Sequence, residues 1–283
     1  MRARAPGSSS NLGPGYDVLG LALQVYVEVE VVPAPRLSIR AEGDGADLPQ
    51  DETHLAITTV RSVLGHDRVA LTVRSSIPVS RGLGSSAALA VAAAAAAGAA
   101  DPFLVAAKTD GHAENAAASA FGGLVAATMI GDRAVARRLP LDRRLGFVVL
   151  VPDRQIDTKL ARSVLPSTIP LADAVHNLGR MGLLAAGLAD ADQLIPEAGE
   201  DRLHQDPRTL LLPEAPELLD RLRQAGATIA CWSGAGPTLL AICADAEVAA
   251  GVEVAAVQAM ADLGVAGRAM VIEPDVEGLV VTA

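Results

Sequence analysis

The feature that most constrains the fold of this chain is an alanine-rich apolar tract at residues 87–107, which directly follows a glycine- and serine-rich loop. Alanine adds little to the free energy of transfer into lipid, and the tract is interrupted by Gly98, Asp101 and Pro102. It therefore does not have the density of large apolar residues that is typical of a membrane-spanning helix. The tract predicts a buried helix in a water-soluble protein that does not enter a membrane.

Strand-like and helix-like patterns alternate along the rest of the chain without a regular repeat. Residues 25–32 alternate strictly between apolar and polar side chains and predict a strand, whereas residues 8–17 predict a turn-rich opening segment. Further strand or sheet segments are predicted at 36–41, 68–74, 115–130, 145–151, 227–231, 237–243 and 268–273. Helices are predicted at 52–64, 171–189, 192–204, 214–225 and 246–263. This mixture indicates an α+β fold rather than a doubly wound parallel sheet, with a boundary near residues 152–157.

Composition excludes several classes of protein. The 283 residues are 51% hydrophobic, so the chain is not disordered. A net charge of −10 with three Phe, two Tyr and one Trp does not favour nucleic-acid binding, which usually depends on cations and stacking aromatics. Two cysteines, Cys231 and Cys243, form neither a zinc motif nor a disulfide framework. With no signal-like apolar segment at the N-terminus, we expect a cytoplasmic location.

The strongest local motif is the loop at residues 78–88, which leads straight into the alanine tract. Gly82 and Gly84 allow the backbone to approach a bulky anion, and Ser85 and Ser86 can cap the following helix. The free N–H groups and the dipole of a helix N-terminus favour phosphate. The loop is not a Walker A motif, because no lysine follows the glycines. A plain glycine-rich turn before a capped helix explains this short motif equally well.

Two other loops bring together residues that carry chemistry. Residues 233–238, with the sequence Ser-Gly-Ala-Gly-Pro-Thr, lie between two apolar strand-like runs, where a hairpin turn is the commoner explanation. Residues 110–115 place two carboxylates, an imidazole and an amide within six positions, so they either line a cavity or form a solvated loop. The His-x-Glu spacing also occurs in zinc deaminases, but the chain has no Pro-Cys-x-x-Cys motif, which argues against zinc.

Taken together, in this order and at these distances, the motifs at 9–17, 78–88 and 233–238 resemble the three signature motifs of the GHMP kinases. Within that superfamily the chain is most similar to the homoserine kinase family. The similarity includes five further segments, at 11–23, 111–123, 157–166, 177–180 and 200–205. It extends over nearly the whole chain and is far more specific than any single glycine loop.

The resemblance implies a two-lobed α+β fold with its active site in the cleft between the lobes. The implied lobes are residues 1–152, which carry the phosphate loop, and residues 153–283. The implied reaction is phosphoryl transfer from ATP, with Mg²⁺, to the side-chain hydroxyl of L-homoserine, a step of threonine biosynthesis. The implied partners are these small molecules, with no nucleic acid or membrane, and a homodimer is in keeping with the family.

The resemblance also implies the roles of individual residues. It places phosphate binding at Pro78, Arg81, Gly82, Leu83, Gly84, Ser85 and Ser86. It places substrate binding at Asn11, Asp17, Asn115, Thr158, Arg162, Arg208 and Gly236. It implies catalytic roles for Asp17, His112 and Asn115, and it implies Mg²⁺ ligation by Ser85 and Asp110.

Elementary chemistry agrees with this assignment. A zwitterionic amino acid needs a cation for its carboxylate, for which the planar arginine fork of Arg162 or Arg208 is suited. Its ammonium group needs carboxylate or amide partners, which Asp17 and Asn11 can supply. Without the family pattern, both arginines would be expected at the solvated surface. The same surface location is expected for His54, His66, His176 and His204.

The chain departs from the family pattern at several positions. Ala113 and Glu114 stand where the family usually has Pro and Asp. Asp110 stands where bacterial relatives commonly have Glu, and its shorter arm would reach Mg²⁺ through water or after a loop shift. His54 replaces a family asparagine near the adenine.

No carboxylate is identified as a general base, so we expect the alcohol proton to leave late, to a phosphate oxygen or to water. Two alternatives remain open at this point. One is another GHMP kinase, acting on mevalonate, shikimate, a phosphorylated isoprenoid precursor or threonine. The other is a non-catalytic regulatory relative that binds a nucleotide. The intact glycines and serines of the loops argue against the second alternative.

Overall fold

The computed structural model describes residues 1–282 and contains two β-sheets with helices packed against them. The first sheet has the strand order β11-β1-β2-β4-β3, and β5 and β6 extend it from β2. Its strands are β1 (Arg2–Asn11), β2 (Gly15–Pro33), β3 (Ser38–Gly43), β4 (Val69–Ser75), β5 (Leu124–Ile130), β6 (Arg133–Leu139) and β11 (Val280–Thr282). The α+β class predicted from the sequence is confirmed.

The second sheet is antiparallel and has the order β10-β7-β9-β8. Its strands are β7 (Gly146–Pro152), β8 (Ile229–Trp232), β9 (Leu239–Cys243) and β10 (Gly267–Val271). Helices of the first half of the chain are α1 (Leu55–Leu64), α2 (Ser85–Ala96), α3 (Pro102–Asp110) and α4 (Ala113–Phe121). Those of the second half are α5 (Thr158–Ser163), α6 (Leu171–Ala189), α7 (Gln205–Arg208), α8 (Ala215–Gln224) and α9 (Ala246–Asp262).

The alanine tract forms the central helix of the first half of the molecule. In α2, every residue from Ala90 to Ala96 is at most 5% exposed, and the helix packs on β1, β2 and three neighbouring helices. Small side chains allow this close packing on several sides at once. The tract is broken before α3, where the side chain of Asp101 caps the new helix and Pro102 occupies its first turn. Across residues 1–282, no helix combines the length and hydropathy that crossing a membrane requires.

The structure corrects three of the local predictions. Residues 8–11, predicted as part of a turn-rich opening, are the end of strand β1, where the polar run Ser8–Ser10 is buried. Residues 115–121, predicted as sheet, belong to helix α4. Residues 192–204, predicted as a helix, contain only two short 3₁₀ turns, at Ala191–Gln193 and Pro196–Gly199. In each case tertiary contacts outweigh the local preference of the segment.

The chain crosses between the two sheets more than once. Strand β7 ends at residue 152 and pairs with β9 and β10 of the second sheet. The C-terminal strand β11 returns to the first sheet and pairs with β1. The division into lobes at residues 152 and 153 stays a prediction.

Candidate active site

A cavity of about 150 Å³ lies where loops from both sheets meet. The first sheet contributes the end of β1, the start of β2 and the loop before α2, and α3 and α4 contribute the segment between them. The second half of the chain contributes α5, α7 and the turn between β8 and β9. The three glycine loops singled out in the sequence therefore surround one space.

The glycines of the loop before α2 are required by their surroundings. At Gly84, where φ is 65°, an added Cβ would lie 2.2 Å from the Oγ of Ser8. At Gly82, where φ is 75°, it would lie 2.3 Å from the backbone oxygen of Ser233. A side chain at either position would push the loop out of place, so the backbone is kept free to line the cavity.

Helix α2 begins at this loop without a side-chain cap, because its N-cap residue is Gly84. The first N–H groups of the helix thus remain available next to Ser85 and Ser86, both of which line the cavity. The turn at 233–238 supports the loop from the other side, since the Ser233 hydroxyl donates to the backbone oxygen of Gly82 at 2.6 Å. An uncapped helix N-terminus of this kind favours an anion.

The segment between α3 and α4 places Asp110 and His112 at the edge of the cavity. Asp110, with an 8% exposed side chain, accepts a hydrogen bond from the Ser86 hydroxyl, and its other oxygen lies 3.0 Å from Nδ1 of His112. This hydrogen bond raises the pKa of His112 against the opposing effect of burial. The hydroxyl that contacts the carboxylate is that of Ser86, the neighbour of the predicted ligand Ser85.

Glu114 is a cavity residue to which the sequence assigned no role. It is 2% exposed, and burial raises its pKa to about 7. Asn115 donates to Glu114 at 2.9 Å and to the Ser10 hydroxyl at 3.0 Å, and it accepts from the Ser8 hydroxyl at 2.9 Å. The amide of Asn115 thus holds β1 and α4 together and fixes the buried carboxyl group.

Asp17 and Arg162, both predicted to bind the substrate, form an ion pair with each other across the cavity. The guanidinium of Arg162 donates to the two carboxylate oxygens of Asp17 at 2.8 and 3.1 Å, and to the Tyr16 hydroxyl at 3.0 Å. Burial lowers the pKa of Arg162, whereas the hydrogen bond to Asp17 raises it, and the net effect is a raised pKa. A zwitterionic ligand can replace this pair, with its carboxylate on the arginine and its ammonium on the aspartate.

Arg208 is 2% exposed and reaches the cavity from α7. It donates to Nδ1 of His204 at 2.6 Å and to the backbone oxygen of Gly234 at 2.9 Å. Within residues 1–282 it has no carboxylate partner, and its Nε atom lacks a hydrogen-bond partner. A buried cation without an anion is costly, which leaves Arg208 suited to an anionic ligand.

His204, predicted to be solvated, is instead fully buried beneath Arg208. Because Nδ1 accepts from the arginine, the proton lies on Nε2, which donates to the backbone oxygen of Gly13 at 2.8 Å. Burial lowers the pKa of His204 to about 4, so the ring is neutral. Its ring also stacks on Tyr16, with centroids 5.1 Å apart. The i, i+4 spacing of His204 and Arg208 was the one signal in the sequence for this pair.

Asn11 lines the cavity, but its side chain is engaged with the protein. Its amide nitrogen donates to the backbone oxygen of Gly234 at 2.9 Å, and its amide oxygen accepts from the N–H of Asp17 at 3.0 Å. Both Asn11 and Asp17 have positive φ values, 71° and 54°. Asn11 thus holds the strained turn that presents Asp17.

The other predicted site residues divide into two groups. Thr158 and Gly236 line the cavity together with the residues described above. Pro78, Arg81 and Leu83 lie outside the cavity lining. Leu83 belongs to the hydrophobic core, and Arg81 donates to the backbone oxygen of Asp153 at 2.8 Å. These three residues belong to the loop but lie away from the cavity.

A second, more apolar cavity of about 300 Å³ adjoins the first and shares Val79, Ser85 and Ser86 with it. His54, also predicted to be solvated, is 6% exposed and lines this second cavity. Its Nδ1 accepts from the N–H of Ala56 at 3.2 Å and caps α1, which leaves the proton on Nε2. Burial lowers the pKa of His54. The neutral ring can therefore offer one N–H donor to a ligand in this cavity.

Comparison with known proteins identifies the relatives of the chain. Residues 53–123 match the family description "GHMP kinases N terminal domain", and residues 173–262 match "GHMP kinases C terminal". The chain is 41% identical over 262 residues to the homoserine kinase of Cutibacterium acnes, covering 86% of this chain and 88% of that protein. It is 37% identical to the homoserine kinase of Moorella thermoacetica, covering 85% and 86%.

Solved structures show the same fold. The crystal structure of homoserine kinase from Cytophaga hutchinsonii superposes with a TM-score of 0.86 at 25% identity, covering 99% of this chain and 96% of that one. The mevalonate kinase of L. major, in complex with R-mevalonate, superposes with a TM-score of 0.70 at 16% identity, covering 98% and 96%. At that identity the second similarity concerns the fold alone.

Proposed function

The chain belongs to the GHMP kinase family, among the homoserine kinases, and we propose that it transfers the γ-phosphoryl group of ATP to the side-chain hydroxyl of L-homoserine. The product would be O-phospho-L-homoserine, an intermediate of threonine biosynthesis. The relatives named homoserine kinase, at 37–41% identity over most of the chain, support this reaction.

One observation of the structure carries the proposal for the acceptor. Arg208 is a buried cation without a carboxylate partner in the described chain, and it faces the same cavity as the uncapped N-terminus of α2. A ligand that satisfies both must carry an acid group at one end and reach a phosphate at the other. An amino acid with a hydroxyl on its side chain meets this requirement, whereas an amino alcohol without the acid leaves Arg208 unpaired.

We propose that the substrate's carboxylate binds Arg208 and Arg162 and that its ammonium group binds Asp17. Binding would then exchange the Asp17–Arg162 ion pair for two ion pairs with the ligand, so that neither of these charges loses its partner. Tyr16 and His204 would keep the two arginines in place through the hydrogen bonds described above. Thr158, at the start of α5, lies on the same side and would contact the carboxylate or the hydroxyl of the ligand.

The ATP phosphates would bind at the loop before α2, on the backbone N–H groups that follow Gly84. The donor set beside them fits Mg²⁺, because a carboxylate and hydroxyls are the hard oxygen ligands that this ion prefers. Asp110, Ser85 and Ser86 would hold it, with phosphate oxygens and water completing its shell. Bound there, Mg²⁺ would neutralise phosphate charge. No cluster of three or more His, Cys, Asp or Glu side chains suited to a metal occurs in residues 1–282.

The second cavity would hold the adenine. Its lining is mainly apolar, as nucleobase sites usually are, and it continues directly from Ser85 and Ser86. The Nε2–H group of His54 would donate to a ring nitrogen of the base. In this position the histidine would replace the family asparagine without loss of a donor.

The proton of the attacking hydroxyl has no obvious acceptor among ionised groups near the phosphate loop. In the complex proposed above, Asp17 would be engaged with the ammonium group of the substrate, and Glu114 is buried with its carboxyl group held by Asn115. We propose that the proton leaves late in the reaction, to a phosphate oxygen, and that positioning and charge neutralisation carry most of the rate enhancement. His112, whose Nδ1 lies 3.0 Å from a carboxylate oxygen of Asp110, would be held in place beside the transferred group.

A coupled assay of ADP release tests the proposal. We expect turnover with L-homoserine well above that with L-threonine, L-serine, mevalonate or shikimate. Absence of activity on L-homoserine, with activity on another acceptor, would assign the chain to a different GHMP kinase reaction. Nucleotide binding in calorimetry without turnover of any acceptor would support a regulatory relative instead.

We also propose that the chain acts in the cytoplasm and as a homodimer. Cys231 and Cys243 are both unpaired and buried, as is usual in a reducing compartment. The chain also exposes an apolar helix face of the kind that subunit interfaces cover.

A further inference from the structure

His204 holds the buried Arg208, and the two residues lie one helical turn apart. Helix α7 is a single turn, so side chains at positions i and i+4 lie on the same side of it. Asp201 fixes the start of this turn, because its carboxylate accepts from the backbone N–H groups of His204 at 2.9 Å and Gln205 at 2.8 Å. The backbone therefore determines where the imidazole stands relative to the guanidinium.

Both ring nitrogens of His204 are engaged, so the ring cannot turn or change its tautomer without losing a hydrogen bond. Arginine can only donate, so Nδ1 accepts from Arg208 at 2.6 Å and the proton lies on Nε2, which donates to the backbone oxygen of Gly13 at 2.8 Å. Tyr16 stacks on the ring. Burial lowers the pKa of the imidazole, so the ring is neutral. Arg208 is thus anchored by a rigid acceptor that carries no charge.

This anchor occupies one nitrogen of the guanidinium and leaves an edge of it free. Nη1 of Arg208 carries two hydrogens, and it donates both to His204 and to the backbone oxygen of Gly234, at 2.9 Å. Within residues 1–282 the side chain makes only these two hydrogen bonds, and the buried Nε has no partner. The N–H of Nε and one N–H of Nη2 point in the same direction, which is the geometry that receives the two oxygens of a carboxylate.

The second acceptor of Arg208 is also fixed in place and also neutral. The backbone oxygen of Gly234 accepts from the side-chain nitrogen of Asn11 at 2.9 Å, and the N–H of Gly234 donates to the backbone oxygen of Ser10 at 2.9 Å. Gly234 is therefore held against the end of β1. Because both acceptors of Arg208 are uncharged, no carboxylate of the described chain is bonded to the guanidinium in competition with a ligand.

We propose that His204 makes Arg208 selective for a carboxylate, because it holds Nη1 without neutralising the guanidinium and so directs the free edge of Nε and Nη2 to the substrate. The inference rests on the proposed function, in which the acid group of the acceptor binds Arg208. His204 does not line the cavity, so it acts through Arg208 as a positioning residue. A carboxylate in its place would form a permanent ion pair with Arg208 and leave the acid group of the substrate without a free cation.

Two substitutions distinguish this role from a purely structural one. The side-chain amide of asparagine ends near the position of Nδ1, so His204→Asn keeps an acceptor for Arg208. The amide of glutamine ends near the position of Nε2, so His204→Gln keeps the donor to Gly13 and loses that acceptor. Asparagine is the smaller residue, so loss of packing alone makes His204→Asn the more disruptive change. The positioning role predicts the opposite order for substrate binding.

Steady-state kinetics on the full chain compare the two variants. We expect His204→Gln to raise the KM for L-homoserine about 10- to 100-fold, the effect of losing a hydrogen bond to a charged group, and His204→Asn to raise it less than about fivefold. In both variants kcat and the KM for ATP should change less than about threefold. The matched control is His66→Gln, at an exposed histidine, which should change none of these values. Urea unfolding checks that each variant is folded.

The same comparison in an Arg208→Lys background tests whether His204 acts through Arg208. Lysine has no second edge to direct, so the KM values of the two double variants should differ less than about twofold. A KM for L-homoserine that rises equally in the two single variants, or more in His204→Asn, would overturn the inference and leave the proposed function standing.

Nitrogen NMR of the histidine rings in the native, ligand-free protein provides a test that needs neither a variant nor a substrate. We expect a neutral ring at His204 with its proton on Nε2 at neutral pH. A proton on Nδ1 would overturn the inference whichever acceptor the protein uses. Absence of activity on L-homoserine in the native protein would instead contradict the proposed function, so the two failures are distinguishable.

Discussion

Replacement of Glu114 by glutamine should stabilise the protein above neutral pH. The carboxyl group is 2% exposed, and its pKa is raised from 4.5 to about 7, chiefly by burial. A pKa difference of one corresponds to about 1.4 kcal/mol, so ionising the folded protein at this site costs about 3 kcal/mol. Glu114→Gln removes the charge and keeps an oxygen to accept the hydrogen bond from Asn115.

The sign of the effect depends on pH. An acid whose pKa is raised on folding binds its proton more tightly in the native state, so the native protein loses stability as pH rises from about 4.5 through about 7. The free energy of unfolding of the variant should therefore exceed that of the native protein by about 1 kcal/mol or less near pH 5 and by up to about 3 kcal/mol at pH 8.5.

Urea unfolding at pH 5, 6, 7, 8 and 8.5 measures this difference. The matched control is Glu273→Gln, an exposed glutamate, for which the difference should stay within about 0.5 kcal/mol at every pH. A Glu114→Gln difference that does not change with pH, or a variant less stable than the native protein at pH 8.5, would refute the reasoning.

Four further substitutions test the site. In Gly84→Ala, the added Cβ would lie 2.2 Å from the Ser8 hydroxyl and would displace the loop. The value of kcat/KM for ATP in steady-state assays should therefore fall by at least about 100-fold. An unchanged value would show that the loop does not bind the phosphates. Arg208→Lys keeps the positive charge but loses the planar guanidinium group that can bind a carboxylate through two hydrogen bonds. The KM for L-homoserine should therefore rise about 10- to 100-fold, with a smaller change in kcat. Asp17→Asn should lower kcat at saturating substrate by less than about tenfold, whereas a fall of about 10²–10⁴-fold would identify Asp17 as a general base. Asp110→Ala should raise the Mg²⁺ concentration for half-maximal activity by at least about tenfold, and no change in a Mg²⁺ titration would exclude it as a ligand.

Regular periodicity predicted the long elements well. Residues 171–189 were predicted as a helix and form α6 with those bounds, and α9 differs from its prediction by one residue. Strand β1 was missed because Ser8, Ser9 and Ser10 have the composition of a turn. They are buried because their hydroxyls and backbone pair with α4 and with the turn at 233–238. Contacts with segments that are distant along the chain produce no periodic pattern in the local sequence.

The segments that the motifs singled out line one cavity, and the roles of the individual residues in it stay predictions. The side-chain amides of Asn11 and Asn115, both predicted to bind the substrate, form hydrogen bonds with neighbouring segments, namely the turn at 233–238, the start of β2 and the end of β1. His204 was predicted to be solvated, although it is the fully buried partner of Arg208. Whether a polar side chain faces a ligand or another loop depends on contacts between distant segments, which a single sequence does not display.

The central claim is that the site selects an acceptor that carries both a hydroxyl and an acid group, with the acid on the buried Arg208. It is tested most directly by comparing kcat/KM of the native protein for L-homoserine and for 3-aminopropan-1-ol, which keeps the amine and hydroxyl but lacks the carboxylate. We expect a ratio of at least about 10⁴ in favour of L-homoserine, because the analogue leaves a buried cation unpaired. A ratio near one would contradict the assignment of Arg208 and with it the proposed substrate.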